Sequence, residues 1–258
     1  MKTREHIAQE IVEVCHRVAA QRFVTAMDGN ISARLPNGNI LCTPTSLNKG
    51  FVTAEDLVEV TLEGKQISGT RKPSSEMDMH LFIYNNRTDV NAVVHCHPPY
   101  ATGFAVARIP MTECVLPEVI VGLGAIPLAE YATPSTKEVG ESLAPYMKNA
   151  DAILLANHGA VTYGNDVWCA YFRMEKLEHT AHILFVAHTL GGIKTLSAGE
   201  VEKLRTVSIQ NYGKDFSNKI ACEVLPRKES DEEIELTQSE YQHIIEEVQR
   251  QLNQHHHK

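Results

Sequence analysis

Two apolar segments in the middle of the chain end abruptly in turns that carry histidine, and they limit the fold more than any other feature does. The first covers 91–97, contains the pair Val93-Val94 and stops at Pro98-Pro99; the second covers 150–156 and runs into Asn157-His158-Gly159. Short apolar runs bounded by turn residues are typical of buried strands. We therefore predict a sheet whose strands deliver polar side chains into a cleft where they end.

The rest of the chain alternates between hairpin and helix patterns. Turn residues at 36–39 and 63–64 separate short strand-like segments and predict two hairpins, and 125–129 is a further predicted strand. Apolar spacing and capping signals predict longer helices over about 3–22, 74–87, 99–108, 135–148, 166–190 and 198–212. The sequence therefore predicts an α/β fold, a three-layer α-β-α sandwich around a central mixed or antiparallel sheet.

Charge and cysteine usage exclude several functional classes. The net charge of −8 argues against a nucleic-acid partner bound by phosphate neutralisation. No apolar run approaches the ~20 residues of a membrane span, and the polar start MKTREHIAQE does not resemble a secretory signal. The six cysteines are scattered without a C-x-x-C pair, which predicts reduced, packed thiols and a cytoplasmic location.

The last 33 residues differ in composition from the rest. Eight acids and four bases at 226–258 carry half of the net charge of −8. We predict a catalytic domain over 1–225 and an acidic extension over 226–258 with an amphipathic helix, because Thr237 and Glu240 form a capping-box pattern before apolar residues at helical spacing. Such a helix either docks on a neighbouring subunit or a partner, or frays as a terminal helix.

His95 and His97 form the strongest local signal for chemistry. On a strand they share one face while Cys96 points to the other, so both imidazoles can bind one metal ion. The alternative is a pair of packed or surface histidines. His158, at the end of the other apolar strand, adds a third imidazole and leaves a position for a carboxylate, water or substrate, as in catalytic zinc sites. Cobalt or manganese also fits this donor set.

Glu76 is the candidate carboxylate, although a lone acid in a first helical turn often serves only the helix dipole. Ser74 and Ser75 precede it, and hydroxyls at a helix start favour an anion site. The turns 28–30 and 43–46 are similarly able to bind a phosphate. In a dry pocket filled by a phosphate, we expect the pKa of Glu76 to rise towards neutrality.

Five motifs in order resemble the class II aldolase/adducin family, most closely its branch of L-fuculose-phosphate-aldolase-like enzymes. They are Gly29-Asn30-Ile31-Ser32, Thr43-Pro44-Thr45-Ser46, Pro73-Ser74-Ser75-Glu76, His95-Cys96-His97 and Asn157-His158-Gly159. Glu76 precedes His95 by 19 residues and His158 follows His97 by 61, and both spacings fit that branch. The resemblance covers about 4–215.

The resemblance implies a role for each matching residue. His95, His97 and His158 bind zinc, and Glu76 is both the fourth ligand and the acid/base. The implied phosphate site consists of Gly29, Asn30, Thr45, Ser46, Ser74 and Ser75. Tyr212, in a Tyr-Gly pair, corresponds to a tyrosine that covers the site. The family fold is an α/β sandwich assembled as a homotetramer with sites between subunits.

Two departures from the family pattern affect the expected chemistry. Ser46 stands where the similar aldolases have glycine. The stretch 111–118, where the fuculose enzyme carries a proton-donating tyrosine, has none; Cys114 or Leu116 falls near that place. Glu118 and Tyr131 are the candidates for this second acid/base role.

The resemblance predicts a zinc-dependent aldolase in carbohydrate metabolism. It would reversibly cleave a ketose 1-phosphate, L-fuculose 1-phosphate or a related deoxy- or pentulose 1-phosphate, into dihydroxyacetone phosphate and an aldehyde. The alternatives are a methylthioribulose-1-phosphate dehydratase-like or oxo-tetronate-phosphate decarboxylase-like lyase, and a non-enzymatic adducin-like scaffold. The full set of Glu76 and three histidines argues against the scaffold, and Glu76 in place of aspartate argues against a 4-epimerase.

Overall fold

The structure is a computed structural model that describes residues 2–213 and 215–223. These residues form seven α-helices and eight strands, besides two short 3-10 helices. The helices are α1 Arg4–Ala20, α2 Met77–Asn86, α3 Pro99–Val106, α4 Pro117–Gly122, α5 Lys137–Leu143, α6 Val167–Thr189 and α7 Ala198–Tyr212. The strands are β1 Asn30–Arg34, β2 Ile40–Cys42, β3 Val58–Val60, β4 Gln66–Ser68, β5 Ala92–Cys96, β6 Leu128–Ala129, β7 Ala152–Leu155 and β8 Gly159–Gly164.

All eight strands belong to one sheet, in the order β4-β3-β2-β1-β5-β8-β7-β6. Every neighbouring pair is antiparallel except β6 and β7, which are parallel. The strand β5 therefore lies between β1 and β8, and its register pairs His95 with Asn30 on one side and with Val161 on the other. Segments far apart in the chain meet at the centre of the sheet.

Two hydrophobic cores lie on opposite faces of the sheet. One is formed by apolar residues of α1, α3 and α6, and the other by those of α2 and α5. Successive residues of β5 alternate between them, since Val94 and Cys96 belong to the first core and Val93 to the second. This arrangement confirms the predicted three-layer sandwich and the predicted packing role of Cys96.

Several boundaries differ from the sequence prediction. The strand β8 and the helix α4 were not predicted, because β8 is bounded by Gly159 and Gly164 and because α4 has only six residues. The strand predicted over 125–129 is shorter, since Ile126 instead forms an isolated bridge with Met111. No helix in the described ranges is long and apolar enough to cross a membrane.

The prediction of six reduced thiols is wrong for two of them. Cys114 and Cys222 form a disulfide across 108 residues of chain, a pairing that scattered cysteines do not reveal in sequence. Cys15 and Cys42 are free and buried, and burial raises the pKa of each thiol to about 12. The cytoplasmic location and the division at 225/226 stay predictions, and the predicted helix in 226–258 lies outside the described residues.

Candidate metal centre

The three predicted ligand histidines converge where β5 ends. His95 is on β5, His97 follows it directly, and His158 lies in the turn between β7 and β8. Because Cys96 pairs with Ala160, this turn lies beside the end of β5. The ligand atoms of the three histidines all lie within 4.8 Å of one another, and the Nε2 atoms of His95 and His97 are 3.1 Å apart. Two nitrogens bound to one tetrahedral zinc are about 3.3 Å apart.

The surroundings favour the state in which two of the imidazoles can bind a metal, with a nitrogen lone pair directed at the centre. His95 Nδ1 donates to the carbonyl oxygen of Ala160 at 2.9 Å, which leaves the Nε2 lone pair directed at the centre. Burial and the neighbouring rings of His95 and His158 lower the pKa of His97 to about 4, so this ring is neutral at pH 7. Burial alone would lower the pKa of His95 too, but the Glu76 carboxylate outweighs it and raises that pKa.

Glu76 completes the cluster from the opposite side, as the residue before the first turn of α2. Its Oε2 lies 3.3 Å from His95 Nε2, and its Oε1 lies 3.1 Å from His158 Nε2. Burial acts to raise the pKa of this carboxyl, but His95 and His158 outweigh burial and lower it. The expected rise towards neutrality is therefore wrong for this arrangement, because the imidazoles stabilise the charged form.

These residues fit a divalent cation. Three imidazole nitrogens and one carboxylate form a donor set that zinc prefers. Glu76 Oε1 is buried and faces His158 Nε2 at 3.1 Å, but it accepts no hydrogen bond of good geometry from the described residues. A buried carboxylate oxygen without such a bond is costly unless a cation binds it.

The three predicted phosphate turns meet beside this centre. The Ser74 amide donates to the carbonyl of Thr43 at 3.2 Å, and the Thr43 amide donates to the carbonyl of Ile31 at 3.0 Å. Gly29 lies against β5: a Cβ atom there would be 2.9 Å from the carbonyl oxygen of His95. Ser46 has a φ of 55°, the left-handed conformation in which glycine is favoured.

Two sequence candidates for the second acid/base role, Glu118 and Tyr131, have no recorded contact with the cluster, and of a third candidate, Tyr212, predicted to cover the site, only the backbone position is described. Glu118 lies in the first turn of α4, and the cavity that it lines, of about 580 Å³, includes none of the three histidines. Tyr131 follows β6 with an exposed side chain. Tyr212 is the last residue of α7, where Gly213 ends the helix with a φ of 62°. The roles of these residues stay predictions.

Sequence reasoning assigned no role to three buried polar residues around the site, Lys49, Ser32 and His80. Lys49 donates to the carbonyl oxygens of Met27 and Leu47, at 3.1 and 2.7 Å, and so connects the segments that contain two of the phosphate turns. Ser32 and His80 lie behind Asn30 and Glu76. Spacing in the sequence could have indicated both residues. Ser32 is two residues after Asn30 on a strand and His80 is four residues after Glu76 on a helix, so each lies on the same face as the site residue.

The fold and the site define a three-layer α/β protein in which three histidines and one carboxylate converge with the donor chemistry that a metal ion needs. The chain belongs to the family of the class II aldolase and adducin N-terminal domain, whose sequence profile matches residues 9–185.

Relatives within this family carry out more than one reaction. The chain is 34% identical to a 3-oxo-tetronate 4-phosphate decarboxylase of Escherichia coli strain CFT073, over 80% of this chain and 98% of the relative. It is 36% identical to an L-fuculose phosphate aldolase of Methanococcus maripaludis, over 70% of this chain and 97% of the relative. A solved structure of an L-fuculose 1-phosphate aldolase superposes with a TM-score of 0.71 at 28% identity, covering 79% of this chain and 96% of that one.

Proposed function

We propose that the protein is a zinc-dependent aldolase that cleaves a ketose 1-phosphate into dihydroxyacetone phosphate and an aldehyde. The observation that carries this proposal is the half-buried Glu76 carboxylate, which contacts the imidazoles of His95 and His158, while the Glu76 backbone amide donates to the Ser74 hydroxyl in one of the predicted phosphate turns. An aldolase needs a cation beside the carbonyl, a proton carrier at the neighbouring carbon and an anchor for the phosphate.

The residues of the chain divide these tasks. Ser74, Ser75 and the turns around Gly29 and Ser46 hold the phosphate, supported by amides at the start of α2. The three histidines would hold zinc, which would supply a Lewis acid for the negative charge that develops when the bond between C3 and C4 breaks. Glu76 delivers a proton to C3 in cleavage and removes it in condensation. The proton of the C4 hydroxyl leaves to a second base, for which Glu118 and Tyr131 are the candidates.

A second candidate is decarboxylation of a phosphorylated 3-oxo acid. It is favoured by the similarity to a 3-oxo-tetronate 4-phosphate decarboxylase and by the residues at 111–118, which include no tyrosine. Cys114 in that stretch is bound to Cys222 and has no thiol proton to donate. Loss of carbon dioxide leaves negative charge beside a carbonyl, as aldol cleavage does, but it needs no base for a C4 hydroxyl.

Turnover of the zinc-loaded protein on both substrate classes separates these candidates. Dihydroxyacetone phosphate release from a panel of ketose 1-phosphates is measured with a coupled reductase, and carbon dioxide release from 3-oxo-tetronate 4-phosphate with a coupled carboxylase. Glu76→Gln and His95→Ala are expected to abolish the reaction, and zinc content is measured for each. Glu138→Gln is the matched control, since Glu138 also lies in a first helical turn, that of α5.

The outcomes assign the reaction. Release of dihydroxyacetone phosphate that Glu76→Gln abolishes and Glu138→Gln retains supports the aldolase. Release of carbon dioxide alone replaces the aldolase with the decarboxylase. A zinc-loaded protein without turnover on either class contradicts both.

We also propose a homotetramer with sites between subunits. Large apolar side chains on the outer face of α6 are exposed in the single chain, and they are suited to contact another copy: Phe172, Phe185 and Val186. Sedimentation of the full chain and of a chain ending at residue 225 tests this assembly and the role of 226–258. A monomeric full chain contradicts the tetramer, and an unchanged tetramer after truncation removes the extension from the assembly.

A further inference from the structure

A line of hydrogen-bonded side chains leads from Glu76 into the interior between the sheet and α2. Asn30 donates from Nδ2 to Glu76 Oε2 at 2.8 Å, and Asn30 Oδ1 lies 2.6 Å from His80 Nε2. His80 Nδ1 lies 2.7 Å from Ser32 Oγ, which is 2.8 Å from the hydroxyl of Tyr84. The four residues behind Glu76 are buried, so each polar group depends on its neighbour in the line.

The periodicity of two elements builds this line. Asn30 and Ser32 are two residues apart on β1 and share a face of the sheet. Glu76, His80 and Tyr84 are four residues apart along α2 and share a face of the helix. The helix therefore lays its polar side chains against those of the strand, inside a core that is otherwise apolar.

The donor and acceptor groups along this line are consistent with only one direction of hydrogen-bond donation. A carboxylate only accepts, so Asn30 must present its amide nitrogen to Glu76 and its oxygen to His80. His80 Nε2 therefore carries the proton and donates to Asn30, and burial lowers the pKa of this imidazole to about 3, which keeps it neutral. His80 Nδ1 then accepts from the Ser32 hydroxyl, and every hydrogen bond points towards Glu76.

We propose that His80 is a positioning residue, which acts through Asn30 to fix the place and orientation of the Glu76 carboxylate. The inference rests on the proposed function, in which Glu76 is a metal ligand and the proton carrier. His80 touches neither the histidine ligands nor Glu76 in the recorded hydrogen bonds; its effect passes through the amide of Asn30.

The two oxygens of Glu76 then have different roles. Oε2 is held by Asn30, whereas Oε1 is buried, makes no hydrogen bond of good geometry and faces His158 Nε2 at 3.1 Å, the side on which a cation would bind. Without the donor of His80, the amide of Asn30 loses what fixes its orientation. The rotated amide places its oxygen against Oε2, and the repulsion moves the carboxylate away from the centre.

The test compares three variants of α2 loaded with cobalt(II). His80→Phe removes the donor and approximately fills the site, His80→Gln retains an amide donor, and Ile83→Val weakens the same helix–sheet contact without touching the polar line. The visible absorption of bound cobalt reports its coordination without requiring turnover. Circular dichroism and thermal unfolding check that each variant folds. If His80→Phe does not fold, Ser32→Ala replaces it, because it removes the donor to His80 Nδ1.

His80→Phe is expected to change the cobalt spectrum in the direction of Glu76→Gln, whereas Ile83→Val and His80→Gln retain the wild-type spectrum. On the substrate that the wild type turns over, we expect kcat to fall about 10- to 100-fold for His80→Phe while KM changes less than about threefold. A wild-type cobalt spectrum in His80→Phe, or an equal change in Ile83→Val, overturns the inference. A wild type without turnover contradicts the proposed function alone, because the spectra still decide the role of His80.

Discussion

Gly159 allows a test of the metal centre in which no ligand is changed. A Cβ atom at this position would lie 2.5 Å from the carbonyl oxygen of Cys96 and 2.6 Å from Cδ2 of His97. Ordinary contact begins near 3.4 Å, so Gly159→Ala must displace the His97 ring and the end of β5 by about 0.8 Å. Cδ2 is bonded to Nε2, the proposed ligand atom, so the shift would directly displace a donor to the proposed metal ion.

We expect Gly159→Ala to weaken zinc binding about 10- to 100-fold, or about 1.4 to 2.8 kcal/mol, because a site of this kind tolerates displacements of only about 0.5 Å. The overpacked strand is also expected to lower the free energy of unfolding of the metal-free protein by about 1–3 kcal/mol. Zinc affinity is measured by competition with a chromogenic chelator, and stability by urea unfolding in the presence of chelator.

Gly164→Ala is the matched control at the other end of β8. Its Cβ atom would lie 2.8 Å from Sγ of Cys169, at the start of α6 and away from the histidines. We expect a similar loss of stability with zinc affinity within about twofold of wild type. Equal losses of zinc affinity in the two variants, or none in Gly159→Ala, would refute the steric reasoning.

Four further outcomes follow from the described contacts. Arg87, Arg173 and Lys219 surround Asp151 and, despite burial, hold its pKa low. The contribution of Asp151 to stability is therefore present above the unfolded pKa of about 3.9 and is lost as pH falls through the folded pKa. Asp151→Asn should lower the free energy of unfolding by about 3–5 kcal/mol at pH 7. When the urea midpoint is measured against pH, the variant should also lose less stability than the wild type on the acidic side. Replacing Cys114 and Cys222 by serine should cost about 4–5 kcal/mol in urea unfolding without reductant, and no difference from wild type would contradict the disulfide. Ser197→Ala removes the capping box of α7 and should cost about 1 kcal/mol by thermal unfolding, with Ser142→Ala as control. Ser46→Gly relieves a left-handed φ and should raise the unfolding midpoint, whereas a lowered one would mean that the hydroxyl is needed.

The elements that the sequence predicts well have strong periodicity or clear caps. The stripe of Ile7, Ile11, Val14 and Val18 is buried on α1, and the H-x-H pair is placed by strand alternation alone. These features are local, so one pattern determines each of them. The convergence of His158 with His95 was predictable only as a hypothesis, because it depends on which strands become neighbours.

The features that sequence reasoning missed depend on contacts between distant segments. The strand β8 is defined by its pairing with β5 and β7 rather than by a pattern in its own residues. The Cys114–Cys222 disulfide requires two distant segments to meet. The lowered pKa of Glu76 likewise depends on imidazoles 19 and 82 residues away in the sequence. Pairwise charge effects of this kind are invisible in a single stretch of chain.

The distribution of the ligands along the chain has a consequence for folding. Glu76 precedes a helix, His95 and His97 end one strand, and His158 lies in a turn beyond another, so no single helix, strand or turn holds the complete centre. A cation that binds only the assembled sheet shifts the folding equilibrium, by about 2.7 kcal/mol when its free concentration is 100 times its dissociation constant. The supply of the ion would then govern how long the folded chain survives proteolysis, as well as how fast it turns over substrate.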